Sequence, residues 1–352
     1  MITPIGILFG TRPEYLKCKP LFAAFDSEGI EFRILHVKQH KDLDIEERSH
    51  PFYRNISLEF PLGVSRLNEL ASNLPKQLEP AIEECGSILV QGDTATAFFG
   101  CLTAFHMKRK VFHLEAGLRT YDLANPFPEE AYRSMISRLA TYHLCPDAQA
   151  ANNLQNEGIH SNIFVVGNTI LDLVKSYRFE SQVGNRVLIT VHRRENWDTI
   201  IDIAKAIEIL ALRRPELAFD WVLHPNPTIS TQVSEYFQKS SAPQNIHLLQ
   251  PLTHKDLAEK IYNSYCILTD SGGIQEEGSF AGKFLFVLRK TTERSAIPPS
   301  YVQIVEDPKR LPDVFPREKP ELLEPCTVYG SGNSSQEIVS ILRKLLNEKK
   351  LP

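Results

Sequence analysis

The sequence predicts an α/β fold made of two doubly wound domains, each built on a parallel sheet. Short apolar runs alternate with longer segments of helical periodicity, which is the βαβ rhythm of such a sheet. A polar stretch at residues 181–185 interrupts this rhythm, and a second series of the same kind follows it. A chain of 352 residues is also too long for one ordinary core. We therefore expect a domain boundary near residues 169–185.

The first predicted domain, residues 1–170, contains six apolar runs of strand length. These predicted strands lie at residues 5–9, 32–37, 88–91, 111–114, 143–145 and 163–166. Helical patterns at residues 13–25 and 67–84 lie between strands. Because proline lacks the N–H group that an inner helical turn needs, we expect Pro75 to kink or split the second of these helices.

The second predicted domain, residues 171–334, repeats the pattern with five strands. They lie at residues 187–191, 221–223, 246–249, 266–269 and 284–288. Residues 290–325 are rich in proline and irregular, so no regular element is predicted there. The chain closes with a separate helical segment, residues 335–352, whose helical pattern covers 335–349.

Composition excludes several classes of partner. The net charge is −4, and no cluster of Lys and Arg is large enough to bind nucleic acid. The longest apolar runs are strand-sized, far below the roughly 20 residues that span a bilayer. The N-terminus lacks a basic segment followed by an apolar one, so no secretory signal is predicted and we expect a cytoplasmic protein. We expect no nucleic acid and no membrane as partner.

The cysteines and histidines do not indicate a metal site or a disulfide framework. The six cysteines are scattered, form no CxxC pair and lie mostly among apolar residues, which predicts buried free thiols. No HExxH motif, EF-hand loop or paired Cys/His spacing is present. The sequence therefore predicts neither a metal nor another cofactor.

One turn between a strand and a helix carries the clearest chemical signal. Residues 269–277 end an apolar run and open a helical pattern with Ser271, Gly272 and Gly273. The first N–H groups of a helix have no internal partner and lie at its positive end, so this turn can hold a phosphate. Two acids follow one turn later, where Glu277 could reach hydroxyl groups beyond the anion. A nucleotide ribose offers two such hydroxyls.

Polar residues also follow the other predicted strands, where ligands of parallel sheets bind. Arg12, after the first strand, is suited to bidentate phosphate binding. The remaining polar positions in this set are Asp93, His113, Glu115, Glu129, Arg133, His192, Arg193, Arg194 and His224. Taken singly, Asp93 or Glu129 is more often a helix cap, and Glu129 with Arg133 an ordinary helix ion pair. The two arginines can be a solvated face, and His113 and His224 can be core or loop histidines.

Nine motifs in this chain resemble those of one enzyme family, the non-hydrolysing UDP-N-acetylglucosamine 2-epimerases. They are GTRPE at 10–14, QGDT at 91–94, HLEAGLRT at 113–120, PFPEEAYR at 126–133, GNT at 167–169, HRREN at 192–196, HPNP at 224–227, TDSGGIQEE at 269–277 and TTER at 291–294. The resemblance implies two Rossmann-like domains of the glycosyltransferase-B type with the active site in the cleft between them. It also implies that the last helix packs back on the N-terminal domain, and that the enzyme is a homodimer that uses no cofactor.

The resemblance implies epimerisation at C2 of a UDP-N-acetylhexosamine, by elimination of UDP to a 2-acetamidoglucal and its re-addition on the other face. The catalytic residues implied are Asp93, Glu115, Glu129, Arg133 and His192. The residues implied to bind UDP are Arg12, Lys17, His192, Leu252, Ser271, Gly272, Gly273, Glu277 and Arg294. Gln39 and His224 are the implied residues of a second nucleotide-sugar site.

The chain departs from the family pattern in two places. Around the second site, Gln39 is followed by no further glutamine, and Asn73 stands where the family's arginine is expected. These changes argue against activation by a second UDP-N-acetylglucosamine. After TTER, residues 295–300 replace the usual Pro-Glu and glycine-containing turn, which indicates a sugar with a different substituent pattern.

Two alternative functions share this fold. A hydrolysing 2-epimerase would release UDP and free sugar, but the intact HRREN and PFPEEAYR motifs disfavour it. The second alternative is a UDP-sugar sensor without activity or a glycosyltransferase on the same fold. A sensor would gain nothing from three converging acids, which repel a nearby diphosphate. The sequence therefore favours the non-hydrolysing epimerase.

Overall fold

In a computed structural model, the chain folds into two compact units. Each unit is described by itself. The structure describes residues 3–38, 45–58, 66–239, 243–348 and 351. The first unit comprises Met1–Leu173 together with Tyr329–Pro352, and the second comprises Val174–Val328. The last helix therefore belongs to the first unit, and so does the segment from 329 to 334, which the sequence analysis placed in the second domain.

The first unit is built on a seven-stranded parallel sheet with the order β3-β2-β1-β4-β5-β6-β7. The strands are β1 (Ile5–Phe9), β2 (Phe32–Lys38), β3 (Tyr53–Ser57), β4 (Ser87–Gln91), β5 (Lys110–Leu114), β6 (Tyr142–Cys145) and β7 (Ile163–Val165). Six of them match the predicted strands to within one residue at each end. The edge strand β3 was not predicted.

Six helices of the first unit connect or follow these strands. They are α1 (Arg12–Ser27), α2 (Arg66–Glu83), α3 (Ala95–His106), α4 (Glu129–Leu139), α5 (Ala148–Asn156) and α6 (Thr169–Ser176), the last of which runs into the second unit. The expectation that Pro75 splits a helix is wrong, because α2 continues through it. Leu70, Leu74, Leu78 and Ile82 form one buried stripe along α2. Packing of this stripe outweighs the hydrogen bond that proline removes.

Both faces of this sheet are covered, as a doubly wound fold requires. On β1, Ile7 and Phe9 point into one apolar cluster together with side chains of α1 and of the last helix. Leu8, between them, points into the opposite cluster with side chains of α2 and α3. Alternate residues of a strand face opposite sides of its sheet, so both clusters are anchored by the same strand.

The second unit repeats the arrangement on six parallel strands in the order β10-β9-β8-β11-β12-β13. The strands are β8 (Arg186–Thr190), β9 (Ala218–Val222), β10 (Ile246–Leu249), β11 (Ser264–Thr269), β12 (Leu285–Val287) and β13 (Val302–Ile304). The helices are α7 (Ile200–Arg213), α8 (Pro227–Lys239), α9 (His254–Tyr262), α10 (Gly272–Phe280) and α11 (Leu311–Val314), and α12 (Ser334–Asn347) returns to the first unit. The strand β13 and the short helix α11 lie in the segment for which no regular structure was predicted.

The second sheet is also covered on both faces. Ile189 packs with side chains of α7 and α8, whereas its neighbour Leu188 packs with side chains of α9 and α10. The predicted fold class, two doubly wound parallel-sheet α/β domains, is therefore confirmed. All six cysteines are buried and free, as predicted.

Each sheet contains one point at which the strand order reverses. It lies between β1 and β4 in the first sheet and between β8 and β11 in the second. Ligands of open parallel sheets bind beyond the carboxyl ends of the strands at this point. The motifs that begin at Gly10, Gln91, His192 and Thr269 all occupy these strand ends. Within the described ranges, no helix is long and apolar enough to cross a membrane.

The last helix is tied to the first unit by one carboxylate, which gives a testable prediction. Asp172 accepts hydrogen bonds from Ser334 N at 2.9 Å, Ser335 N at 2.7 Å and Ser335 Oγ at 2.5 Å. The first N–H groups of α12 lack helical partners, so Asp172→Ala should lower the free energy of unfolding by about 1–2 kcal/mol. Urea denaturation measures this value. The control, Asp313→Ala, removes a carboxylate whose side chain is 76% exposed, and a loss as large as that of Asp172→Ala would contradict this interpretation.

Candidate functional site

Asp93 follows β4 and is held by a buried arginine. Arg133, on α4, is 7% exposed, and its guanidinium donates a hydrogen bond to Asp93 Oδ2. The other terminal nitrogen of Arg133 lies 3.2 Å from Glu130 Oε2. A guanidinium remains charged at any physiological pH and holds carboxylates in a fixed geometry. Two residues predicted to act together, Asp93 and Arg133, are therefore in direct contact.

Glu115 follows β5 and is held by two donors. Its Oε2 atom accepts hydrogen bonds from Lys17 Nζ and from Gln91 Nε2, each at 2.5 Å. Its backbone φ of +67° lies in the left-handed region, which is costly for a residue with a Cβ and persists where the surrounding structure enforces it. Lys17 and Glu115 were both predicted. Gln91 was not, although it begins the QGDT motif.

The two glutamates of PFPEEAYR have different environments. Glu129 is the first residue of α4 and is half-buried. Glu130 is 1% exposed, and its Oε1 atom accepts hydrogen bonds from the N–H groups of Thr120 and Tyr121, each at 3.0 Å. Glu130 thus anchors the segment after β5 to α4. The more accessible carboxylate, Glu129, is the one that the resemblance implies to be catalytic.

A buried carboxylate that was not predicted, Glu14, connects the ends of β1 and β4. Its Oε2 atom accepts hydrogen bonds from Gly10 N, Thr11 N and Thr11 Oγ1 at 2.7–3.0 Å. Its Oε1 atom accepts one from Thr94 Oγ1 at 2.5 Å. Burial raises the pKa of this carboxyl group, and these hydrogen bonds oppose the shift. The T-x-x-E spacing of a capping box was the signal that could have identified it.

Arg12 and Lys17 lie on the first two turns of α1. Arg12 is exposed, whereas the Lys17 side chain is 15% exposed and paired with Glu115. The first unit therefore brings four predicted residues together at the ends of β4 and β5 and on the facing helices: Lys17, Asp93, Glu115 and Arg133. Glu129 begins the helix that carries Arg133. This group of carboxylates and paired cations can exchange protons with a substrate.

In the second unit, Asp270 connects the ends of β8 and β11. The carboxylate is fully buried and accepts hydrogen bonds from His192 N at 2.9 Å, Arg193 N at 2.9 Å and Asn196 Nδ2 at 2.9 Å. Thr190 and Thr269 pair across the two strands, with 2.7 Å between their hydroxyl oxygens. Asp270 was not assigned a role from the sequence. A charged residue directly after a fully buried strand was the available signal.

The Ser-Gly-Gly turn forms the predicted strand-to-helix geometry. Ser271 is the N-cap of α10, and its hydroxyl accepts a hydrogen bond from Ile274 N. A Cβ atom on Gly272 would lie 2.7 Å from Glu293 Oε1, so this glycine is required by packing. A Cβ atom on Gly273 would have no neighbour closer than 4.0 Å. The space above Gly273 is therefore available to a ligand at the positive end of the helix.

A buried network of arginines and glutamates lies beside this turn. Glu293 Oε1 is 2.8 Å from Arg193, and Glu293 Oε2 is 2.6 Å from Arg289. Burial raises the pKa of Glu293, but the adjacent Arg294, Arg193 and Arg289 outweigh it, so the net shift is downward. Arg294 also forms an ion pair with Glu276, which is 1% exposed. The predicted UDP-binding residue Arg294 is thus already paired with acids in the protein.

The rings of His192 and His224 lie against each other in a tilted arrangement just after β8 and β9. Their ring centroids are 5.4 Å apart. Burial lowers the pKa of His192; Asp270 opposes the shift and His224 adds to it. His224 accepts a hydrogen bond from Asn226 N at 2.8 Å. It also lines a cavity of about 490 Å³ together with residues of α8 and of the segment after β10.

Glu277, on the second turn of α10, is 5% exposed. Its Oε2 atom lies 3.1 Å from His254 Nε2, a residue that was not predicted. Leu252, two residues before His254, packs against the apolar cluster that contains Tyr262 and Ile274. Gln39, the other residue of the second site that the resemblance implies, lies outside the described residues.

His113 is a core histidine, one of the two interpretations that the sequence left open. It is fully buried, and its Nε2 atom lies 2.8 Å from the carbonyl oxygen of Gly92. Burial lowers its pKa to about 3. Among the residues that the structure describes, no group of His, Cys, Asp and Glu could hold a metal ion.

Comparison with known proteins agrees with this geometry. The sequence profile of a family described as UDP-N-acetylglucosamine 2-epimerase matches residues 24–343. A UDP-N-acetylglucosamine 2-epimerase of Campylobacter jejuni is 33% identical, with 100% of both chains covered. The crystal structure of a Neisseria meningitidis UDP-GlcNAc 2-epimerase bound to UDP-GlcNAc is 30% identical with a TM-score of 0.83, over 97% of this chain and 100% of that one. The S. aureus MnaA–UDP structure is 32% identical with a TM-score of 0.84, over 99% and 97%.

The lowered pKa of His113 predicts a pH dependence of stability. The unfolded ring takes up a proton as the pH falls below its ordinary pKa of about 6.5, whereas the folded ring stays neutral down to about 3. Stability is therefore lost as the pH falls, by about 2 kcal/mol between pH 7 and pH 5 from this group. Urea denaturation measures the free energy of unfolding at the two pH values. Between them, His113→Gln should lose about 2 kcal/mol less of this free energy than the wild type.

The exposed His160 provides the matched control for this experiment. His160→Gln should lose the same stability as the wild type between pH 7 and pH 5. The interpretation fails if His113→Gln also shows the full wild-type loss.

Proposed function

This chain belongs to the UDP-N-acetylglucosamine 2-epimerase family, and we propose that it inverts C2 of a UDP-N-acetylhexosamine without hydrolysing it. One observation carries the proposal: each sheet presents a different half of the required chemistry at its point of strand reversal. The first unit gathers carboxylates with Lys17 and Arg133. The second presents an anion-binding turn, with the carboxylate of Glu277 one turn further along the helix.

The nucleotide half of the substrate is assigned to the second unit. The diphosphate occupies the space above Gly273, where the free N–H groups of α10 face it. Glu277 accepts hydrogen bonds from the ribose hydroxyls. Arg12, which the resemblance implies to bind UDP, is exposed. Two solved relatives hold UDP-GlcNAc or UDP, which supports a UDP-sugar as the ligand.

The sugar half is assigned to the carboxylates of the first unit. A carboxylate removes the C2 proton while the C1–O bond breaks and its electron pair leaves with UDP, giving a 2-acetamidoglucal. In the reverse direction UDP adds to C1, and a carboxyl group delivers a proton to the opposite face of C2. Asp93, Glu115 and Glu129 form this acid/base group, with Asp93 oriented by Arg133 and Glu115 by Lys17 and Gln91.

His192 is assigned to the departing phosphate. Burial favours its neutral ring in the unliganded protein, so the ring is not a permanent cation. A diphosphate next to the ring would raise its pKa, because a nearby anion stabilises the charged imidazole. With the diphosphate bound, the ring would therefore take up a proton from solvent, and the resulting cation would stabilise or protonate the leaving phosphate.

The structure around Asn73 supports the proposal that no second nucleotide sugar activates this enzyme. Asn73 stands where the resemblance expects an arginine. Its Nδ2 atom donates hydrogen bonds to Glu69 O at 2.9 Å and Glu69 Oε2 at 3.2 Å, both on its own helix. A side chain that is turned back on α2 cannot replace the reach or the charge of arginine. The homodimer, the cytoplasmic location and the modified sugar stay predictions.

Deuterium exchange tests the reaction directly. In D2O, incubation with UDP-GlcNAc should yield UDP-ManNAc and place deuterium at C2 of both sugars, because the C2 proton is lost to solvent and replaced. Mass spectrometry and NMR measure the label. Free sugar and UDP as the main products would favour the hydrolysing alternative. If no UDP-N-acetylhexosamine that is tested exchanges its C2 proton, the epimerase proposal is wrong.

Asp93→Asn provides the control for contaminating activity. This change keeps the shape of the side chain but removes a carboxylate from the acid/base group. Exchange should fall by about 10²- to 10⁴-fold, while Asp313→Asn, at an exposed position, should leave it unchanged.

The two glycines of the anion-binding turn should respond differently to alanine. Gly273→Ala meets no protein atom closer than 4.0 Å, so its free energy of unfolding should stay the same or rise by up to about 1 kcal/mol. Its UDP affinity, measured by calorimetry, should fall by about tenfold or more, because the new methyl group displaces an anion from charge-assisted hydrogen bonds.

Gly272→Ala is the matched comparison. Its methyl group would lie 2.7 Å from Glu293 Oε1, so it should lower the free energy of unfolding by about 1 kcal/mol or more. UDP binding by Gly273→Ala at the wild-type affinity would contradict the location of the diphosphate.

A further inference from the structure

We propose that His254 is a positioning residue for the nucleotide ribose, and that Tyr177 holds the ring of His254 in place. His254 would hold the carboxylate of Glu277 in the orientation that the ribose hydroxyls need. The inference rests on the proposed function, which places the ribose at Glu277. It adds two residues that lie outside all nine motifs.

Both ring nitrogens of His254 have a partner. The histidine is the first residue of α9, with Nε2 3.1 Å from Glu277 Oε2 and Nδ1 3.0 Å from the Tyr177 hydroxyl. The side chains of His254 and Glu277 are only 10% and 7% exposed. The Tyr177 ring lies against the imidazole, with 5.8 Å between centroids. Tyrosine, histidine and glutamate therefore form a continuous chain of hydrogen bonds.

The direction of these hydrogen bonds follows from the chemistry of the groups. An ionised carboxylate can only accept, so Nε2 must carry the proton that it donates to Glu277. In the neutral ring, Nδ1 then has a lone pair, which accepts a hydrogen bond from the Tyr177 hydroxyl. The carboxylate of Glu277 thus sets the tautomer, and the hydrogen bond from Tyr177 holds the ring at its other nitrogen. The opposite tautomer would direct a lone pair at the carboxylate.

The second carboxylate oxygen of Glu277 faces the anion-binding turn. A Cβ atom built on Gly273 would lie 4.0 Å from Glu277 Oε1. Oε1 therefore borders the space that the diphosphate is proposed to occupy, whereas Oε2 is held by His254. A ribose attached to that diphosphate would meet Oε1 as an oriented acceptor. Fixing one oxygen in advance reduces the entropy lost when the other binds a hydroxyl.

The test compares UDP with 2′,3′-dideoxyuridine 5′-diphosphate, which lacks both ribose hydroxyls. Calorimetry on the full chain gives the ratio of the two dissociation constants for each variant. In the wild type, UDP should bind at least about tenfold more tightly, the contribution of a hydrogen bond to a charged group. His254→Phe keeps a ring but loses the donor, and should lower the ratio by about tenfold. His254→Gln keeps an N–H donor and should retain the ratio to within about threefold.

Tyr177→Phe should lower the ratio by about twofold, because the His254 ring then loses the hydrogen bond that orients it at Nδ1. A merely structural contact between α9 and α10 would change the affinity for both ligands equally and leave every ratio unaltered. An unchanged ratio in His254→Phe, or an equal loss in His254→Gln, overturns the role of His254. An unchanged ratio in Tyr177→Phe overturns the role of Tyr177.

Glu277→Ala separates this inference from the proposed function. If the ratio collapses in Glu277→Ala but not in His254→Phe, the ribose assignment stands and the positioning role of His254 is wrong. If Glu277→Ala itself keeps the wild-type ratio, the ribose does not bind at Glu277, and the proposed location of the nucleotide fails first.

Discussion

The buried carboxylate of Asp270 is the constraint on which the second unit's site depends. Three donors converge on it, from His192, Arg193 and Asn196, and all of them lie on the segment after β8. Asp270 itself directly follows β11 and precedes the turn that opens α10. A fully buried carboxylate without these partners would cost several kcal/mol. The segment that carries His192 and the turn proposed to bind an anion are therefore held together.

The same principle organises the other acidic groups. Glu14 joins the ends of β1 and β4, Glu130 ties α4 to the segment after β5, and Glu293 lies among three arginines. Buried ion pairs contribute little net stability, because desolvation offsets their attraction. Their effect here is geometric. They fix the strand ends, so the remaining carboxylates are oriented before a substrate arrives, which lowers the reorganisation needed for catalysis.

The fold was largely predictable because the inner strands are continuous apolar runs. The two strands that were missed, β3 and β13, are the edges of their sheets. Each is only partly buried, so its hydrophobic pattern is weak. The expectation that Pro75 splits α2 failed for a related reason. Packing of the α2 stripe against the sheet overrides the local preference of proline. The residues of the candidate site also fall into two groups, those that the sequence predicted and those that it did not. Asp93, Glu115 and the Ser-Gly-Gly turn follow strands and were found, whereas Gln91, Asp270 and His254 act through partners that the sequence does not reveal.

The sequence by itself determined the fold class, the family and the strand ends that carry the chemistry, because strand periodicity and local motifs depend on neighbouring residues. Only the tertiary structure decided which charges are paired and which are available. The Lys17 ammonium pairs with Glu115 across 98 residues, and the Asp270 carboxylate accepts a hydrogen bond from the backbone N–H of His192 across 78. Burial likewise separates His113, whose pKa falls to about 3, from a functional histidine. Pairing and burial depend on residues far apart in the chain, so local patterns carry no direct record of them.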